Sequence, residues 1–193
     1  MKIEEARRLY NLQIKEYREQ RAALIKQKTV LEKKMASVLD GNLIYANEAA
    51  VLELTLKTVE EKKNEYSDYM EKLVQQWTAV ADRESAKQQG EAMEKYVEDM
   101  GKLMEVARRL MKGGIVPASD EKKLMEYSME LYQMAKNMGA LAKQREEYDS
   151  LWKEEKKSDY VDPIDTANNT EAFADGPPIA DVADIMADIA SGE

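Results

Sequence analysis

The 193-residue chain is expected to be all-α: an elongated antiparallel coiled-coil helical bundle of three or four long helices, followed by a disordered acidic C-terminal tail. Three observations predict this. Apolar residues recur in sevens, or in alternating steps of three and four, through most of the first 152 positions, a spacing that lays one stripe along a helix. The 8 glycines and 4 prolines gather at a few points rather than interrupting those stretches, so they read as helix stops. The composition is dominated by Ala, Glu, Lys, Leu, Met and Gln, with 35% charged and 7% aromatic residues, which favours long helices.

No Gly or Pro falls between Ile3 and Leu39, where Ile3, Tyr10, Tyr17, Leu24, Leu31 and Val38 repeat every seven residues. The companion seam positions, Arg7, Ile14, Arg21, Lys28 and Met35, are only partly apolar. The helix therefore has a narrow stripe, and its partner must accommodate charges. Asp40-Gly41-Asn42 supplies a glycine stop and caps, with Asn47 as a second cap, so the chain is expected to reverse near residues 40–47.

A second stripe follows at Ala49, Leu52, Leu56, Val59, Lys63, Tyr66, Met70, Leu73, Trp77 and Val80. It fades between Glu84 and Gly90, then resumes out of register at Met93, Tyr96, Met100, Leu103, Ala107 and Leu110. A phase change of this kind marks a stutter or a kink. One bent helix of residues 48–112 and two helices meeting near Gly90 are equally compatible with it. Unbroken, it would run on the order of 100 Å at ~1.5 Å per residue.

Gly113-Gly114 ends that segment, and Ser119 or Asp120 caps the next. The third stripe, Leu124, Tyr127, Leu131, Met134, Met138, Leu141, Arg145, Tyr148 and Trp152, predicts one helix ending by Lys157. The first long helix would fold back along the front half of the middle one and the last along its rear half, giving a bundle over residues 3–157. Charged seam positions Arg21, Lys28, Lys63 and Arg145 either fix register or lie solvated at the edge.

The tail differs in charge and in pattern. All 29 Lys and Arg lie in residues 1–157 with 29 of the 38 acids, so the net charge of −9 comes from the 9 acids of residues 158–193. Residues 158–178, with Pro163, Gly176, Pro177, Pro178 and few large apolar side chains, read as an acidic disordered linker. Beyond it, Ile179, Val182, Ile185, Met186 and Ile189 fall at helical spacing beside Asp181, Asp184 and Asp188. Residues 179–190 are thus a short amphipathic segment, too short to be stable alone. It would recruit a partner, dock on its own body or remain loose.

The same residue counts restrict function. With neither Cys nor His, thiolate or imidazole metal sites, Cys and His nucleophiles and Ser-His-Asp triads are excluded. Adjacent acids such as Glu60-Glu61, Glu146-Glu147 and Glu154-Glu155 diverge by about 100° on a helix and do not converge on one site. No phosphate-binding glycine loop occurs, so no enzyme, metal or cofactor is expected.

The expected partners are other proteins, with a homo-oligomer as one form. Candidate partner-binding residues are Ile179, Val182, Ile185, Met186 and Ile189 in the tail. Met125 and Met129 join them, because they stand off the third stripe and widen its apolar face. They belong to a group of eight methionines within residues 93–138, and such surfaces accept varied apolar partners. Nucleic acid is not expected, since the basic residues are scattered and the tail would repel phosphate. No apolar run approaches a membrane span, and the charged N-terminus lacks a signal-peptide core, so the cytoplasm is expected, with leaderless export as the alternative.

The function expected from these residues is a non-enzymatic adaptor or scaffold with a tethered recruitment segment. In composition and helical outline the chain also resembles flagellar or type III export chaperones and coiled-coil export adaptors. That resemblance implies a cytoplasmic protein binding a client on its Met-rich helices. A leaderless exported helical substrate is the third expectation.

Overall fold

A computed structural model of the protein describes residues 1–142, 146–152, 160–173 and 175–191. The chain is mostly helical, and among the described residues the only β features are two isolated bridges. Its helices are α1 (Ile3–Ser37), α2 (Gly41–Ile44), α3 (Ala46–Met111), α4 (Ala118–Tyr127), α5 (Met129–Gly139), α6 (Pro163–Asn169) and α7 (Val182–Ser191). Among the described residues only α1 and α3 are long helices, and α3 is a single helix passing Gly90. No described helix is long and apolar enough to cross a membrane. Two compact units divide the chain: an N-terminal unit of residues 1–84 with 162–193, and a central unit of residues 85–161.

In the N-terminal unit, α1 and the first part of α3 form an antiparallel hairpin. Ile3, Tyr10, Tyr17, Leu24 and Leu31 of the sevenfold stripe are all buried, and Val59, Tyr66, Met70 and Leu73 answer from α3. The last stripe residue, Val38, stays 42% exposed because α1 has already ended. Charged seam positions lie at the edge and are paired across the hairpin: Arg21 with Glu60 at 3.4 Å and Lys28 with Glu53 at 3.0 Å. The reversal depends on Asp40 at φ 61° and on Gly41, where an added Cβ would lie 2.1 Å from the Met35 carbonyl oxygen. Only glycine permits that approach.

Part of the stretch that its composition predicted as a disordered linker is helical, residues 163–169 forming α6. Asp162 caps α6, accepting from the Ile164 N–H at 2.8 Å, and Pro163 stands first in that helix. The following strap lies along the hairpin. Ile3 N–H donates to Thr170 O, and Ala172 N–H to Met1 O, while the Trp77 indole donates to Asn168 at 2.7 Å. Three tyrosines then hold main-chain carbonyls: Tyr10 to Pro177, Tyr17 to Ala180 and Tyr66 to Pro178, at 2.8, 2.9 and 3.0 Å. Residues 158, 159 and 174 of the expected linker lie outside the described residues.

The central unit departs further from expectation. Its third stripe does not form one helix ending near Lys157. The helix breaks at Ser128, whose extended backbone ends α4 and whose Oγ caps α5 by accepting from Leu131 N–H. After Gly139 the helix stops, and residues 146–148 run extended, bridging Ile115 through Ile115 N–H to Glu146 O and Tyr148 N–H to Ile115 O. Arg145 and residues 153–157 lie outside the described residues. With the helix broken at Ser128, the stripe is not one buried face: Leu124 is fully buried, but Tyr127, Met134, Met138 and Leu141 are exposed. The core consists of Leu103, Val106, Ala107 and Leu110 of α3 with Val116, Leu124 and Ala135, and Tyr148, Leu151 and Trp152 pack against it.

Candidate functional site

The tail stripe faces its own hairpin in this structure. Val182, Ile185 and Met186 are partly buried against the cluster of Ala6, Tyr10, Tyr17, Leu24, Val59 and Tyr66. The Gln20 side-chain amide donates to the Met186 sulfur, and Tyr66 Oη accepts from the Ala180 N–H at 3.1 Å. Ile189 is half-buried, and Ile179 remains 42% exposed. Docking on its own body is thus the arrangement observed, and any recruiting role would require α7 to leave the hairpin. Gly176 makes the docking tight, since an added Cβ would stand 1.9 Å from the Tyr10 hydroxyl.

The tyrosines beneath this strap are chemically unusual. Tyr10, Tyr17 and Tyr66 pack ring against ring, with centroids 5.7 Å apart for Tyr10 and Tyr66 and 5.4 Å for Tyr17 and Tyr66, and Tyr69 adds an edge-on contact with Tyr10 at 4.7 Å. Burial, more than any neighbouring charge, pushes the Tyr10, Tyr17 and Tyr69 hydroxyls above their ordinary value near 10. They stay protonated, and Tyr10 and Tyr17 serve as hydrogen-bond donors.

Met125 and Met129 do not lie in one environment. Met125 is half-buried on α4, whereas Met129 opens α5 and is 49% exposed. They share the central unit with a larger open set: Met93 and Tyr96 on α3 and Met134 and Met138 on α5, which the stripes predicted to be core, and Val97 and Met104 on α3 beside them. On α3, positions 93, 96 and 97 lie on one side of the helix at steps of three and four.

Sequence reasoning missed the residue that organises this unit. Asp120 is almost fully buried, and its carboxylate accepts from Ser119 Oγ at 3.0 Å, Ser150 Oγ at 2.7 Å and the Leu151 N–H at 2.9 Å. It reads in sequence as a helix cap; instead it gathers the returning chain about 30 residues later. Nearby, Glu105 accepts from Arg108 and Arg109, and these guanidiniums hold its carboxyl down at about 2. The arrangement is an intrahelical ion network.

The N-terminal unit has a cavity of about 670 Å³ at the bend end of the hairpin. Leu24, Val30, Leu31, Val51, Leu52 and, from α7, Met186 line it. Beside it the tip exposes Leu39, Leu43 and Ile44 by 90%, 79% and 62%. Neither surface was singled out from the sequence, because Leu39, Leu43 and Ile44 lie at or within the stretch read as the chain reversal. Among the described residues no group of three or more carboxylates converges as a metal-ligand set. Compared with protein-family models, with curated proteins and with solved structures, the chain matches none.

Proposed function

We propose that the protein is a non-enzymatic adaptor or scaffold that holds another protein on the central unit. One observation carries this reading: Met93, Tyr96 and Val97 stand exposed by 63%, 58% and 60% on successive turns of α3. Side chains of this kind at helical spacing suit an amphipathic helix laid alongside, and Met adapts its shape to the guest. The α7 stripe supports the reading indirectly, because it shows how a short acidic amphipathic helix packs on this protein's own helices. Coiled-coil packing of α1 on α3 and a cytoplasmic setting belong to the same proposal.

A photo-crosslinking side chain at Val97, installed in the native host, tests it. A discrete protein adduct is expected at Val97 and not at the solvated Lys15. An adduct pattern identical at the two positions would remove the proposal.

A client chaperone of a flagellar or secretion system is the second reading, favoured by exposed Met129, Met134 and Met138 on the one helix α5. It differs from a scaffold in where protection appears. Hydrogen exchange slowed across residues 129–138 when the client is co-expressed would support it, and slowing confined to residues 93–104 would support the scaffold.

A further inference from the structure

We infer that the bend end of the α1–α3 hairpin is a self-association surface, in which the apolar tip of one copy seats in the groove of a second copy and the second returns the contact. The shapes are the first ground. The tip is a protrusion carrying Leu39, Leu43 and Ile44, and the cavity beside it is a concave apolar site of about 670 Å³. Two cavities placed face to face would leave a void. A tip in a cavity fills it.

Position is the second ground. Leu43 and Val51 are eight residues apart in sequence, about 12 Å if measured along a helix. Two hairpins overlapping antiparallel by that distance place each tip over the other's groove about one two-fold axis. Both contacts then form together, and the assembly closes at two copies instead of extending as a filament.

Charge is the third ground. From Val38 to Asn47 the only charged side chain is Asp40, an acid, whereas the cavity is rimmed by Lys26 and Lys34 against the single acid Glu48. The tip is therefore weakly negative where the groove is weakly positive. The area is adequate as well. Val30, Val38, Leu39, Leu43, Ile44 and Val51, at exposures from 42% to 90%, leave on the order of 600 Å² on each copy, near the roughly 800 Å² per partner of a stable interface. An apolar patch of this size is at the upper end of what a monomer exposes. The inference is independent of the Met-rich face of the central unit.

Sedimentation equilibrium of the full chain tests it, with the chain expected to be a dimer below about 100 µM. Leu43→Lys in the tip and Val51→Glu in the groove should each weaken the dimer by at least ~30-fold, the loss of a central contact. Both positions are exposed, so far-UV circular dichroism should not change. Mixing the two variants is the sharper step. The ammonium introduced in the tip of one copy then meets the carboxylate introduced in the groove of the other, while the remaining tip and groove are unaltered. A heterodimer should therefore form where neither variant pairs with itself. A monomer at all concentrations would overturn the inference, as would a dimer that persists in both variants or mixed variants that stay apart. Binding of the monomer to phosphatidylcholine–phosphatidylserine vesicles, lost in Leu43→Lys, would assign the tip to a membrane surface instead.

Discussion

The two units secure a returning stretch of chain by different means. In the N-terminal unit the load is distributed: Tyr10, Tyr17 and Tyr66 each hold one carbonyl of the strap, and Trp77 and the edge of α1 hold its earlier part. In the central unit one carboxylate, Asp120, takes both Ser150 Oγ and the Leu151 N–H. Distributed anchoring ties strap to core, because the same tyrosines are the buried core. Asp120 shares the task with the Ile115 main chain on Glu146 and Tyr148, with Arg109 on Asp149 O and with the Trp152 indole on Asp99, so here polar groups hold the returning chain around a core cluster that stays apolar. Each unit also contains one tryptophan, Trp77 or Trp152, so single-tryptophan variants report the units separately by fluorescence.

The largest effect is expected from Tyr66→Ala. This side chain is fully buried, stacks on Tyr10 and Tyr17, and bonds both Pro178 O and Ala180 N–H. Its removal should cost about 3–5 kcal/mol, as for other large aromatic truncations. In urea the Trp77 transition should move to lower denaturant. An equal movement of the Trp152 transition would break the distinction between the units.

Asp120→Ala should follow at about 2–3 kcal/mol, since charged hydrogen bonds are lost and the buried Leu151 N–H is orphaned. The shift should be read by Trp152 and not by Trp77. Asp120→Asn should recover part of it, because the amide oxygen still accepts. Gly176→Ala comes next, at about 1–3 kcal/mol for overpacking against Tyr10 and Tyr69. Hydrogen exchange should accelerate over residues 176–191 while α1 stays protected, which would separate undocking of the strap from unfolding of the hairpin.

The difference between the units also explains what could be read from sequence. The hairpin was legible because its core is a side-chain pattern: Ile3, Tyr10, Tyr17, Leu24 and Leu31 recur in sevens and are buried, and Gly41 marks the turn. The strap was not, because Pro177, Pro178 and Ala180 are held by their carbonyls, which every residue has. Periodicity also misled at Ser128. Leu124, Tyr127 and Leu131 keep helical spacing across the break, and Ser is tolerated inside helices, so only its backbone and its bond to Leu131 N–H disclose a cap. Met93 and Tyr96 show the converse fault: a seam position is buried only if something lies on it. Neither is covered here.

Alkali should act on the buried tyrosines of the N-terminal unit and, through Tyr148 held up by its hydrogen bond to Glu146, on the central unit as well, whereas acid should act on the central unit through Glu105. With Tyr10, Tyr17 and Tyr69 raised by burial above a value near 10, the unfolded chain releases protons first as pH climbs past 10. Stability present below that pH is then lost on the alkaline side, and the Trp77 transition should weaken there. For Glu105 in the central unit the sign reverses. Its carboxyl is lowered from 4.5 to about 2, chiefly by hydrogen bonds from Arg108 and then Arg109. Between those values the unfolded chain binds a proton that the folded chain refuses, so the contribution is complete above pH 4.5 and disappears as pH falls to about 2. Its size is small, ~0.5 kcal/mol, because the pairs are intrahelical and Arg108 is 56% exposed to screening solvent. Glu105→Gln should flatten the Trp152 stability profile across that acid window by this amount and leave the alkaline limb of Trp77 unchanged. A Trp77 acid profile that flattens in the same variant would show that the two units share one titrating network.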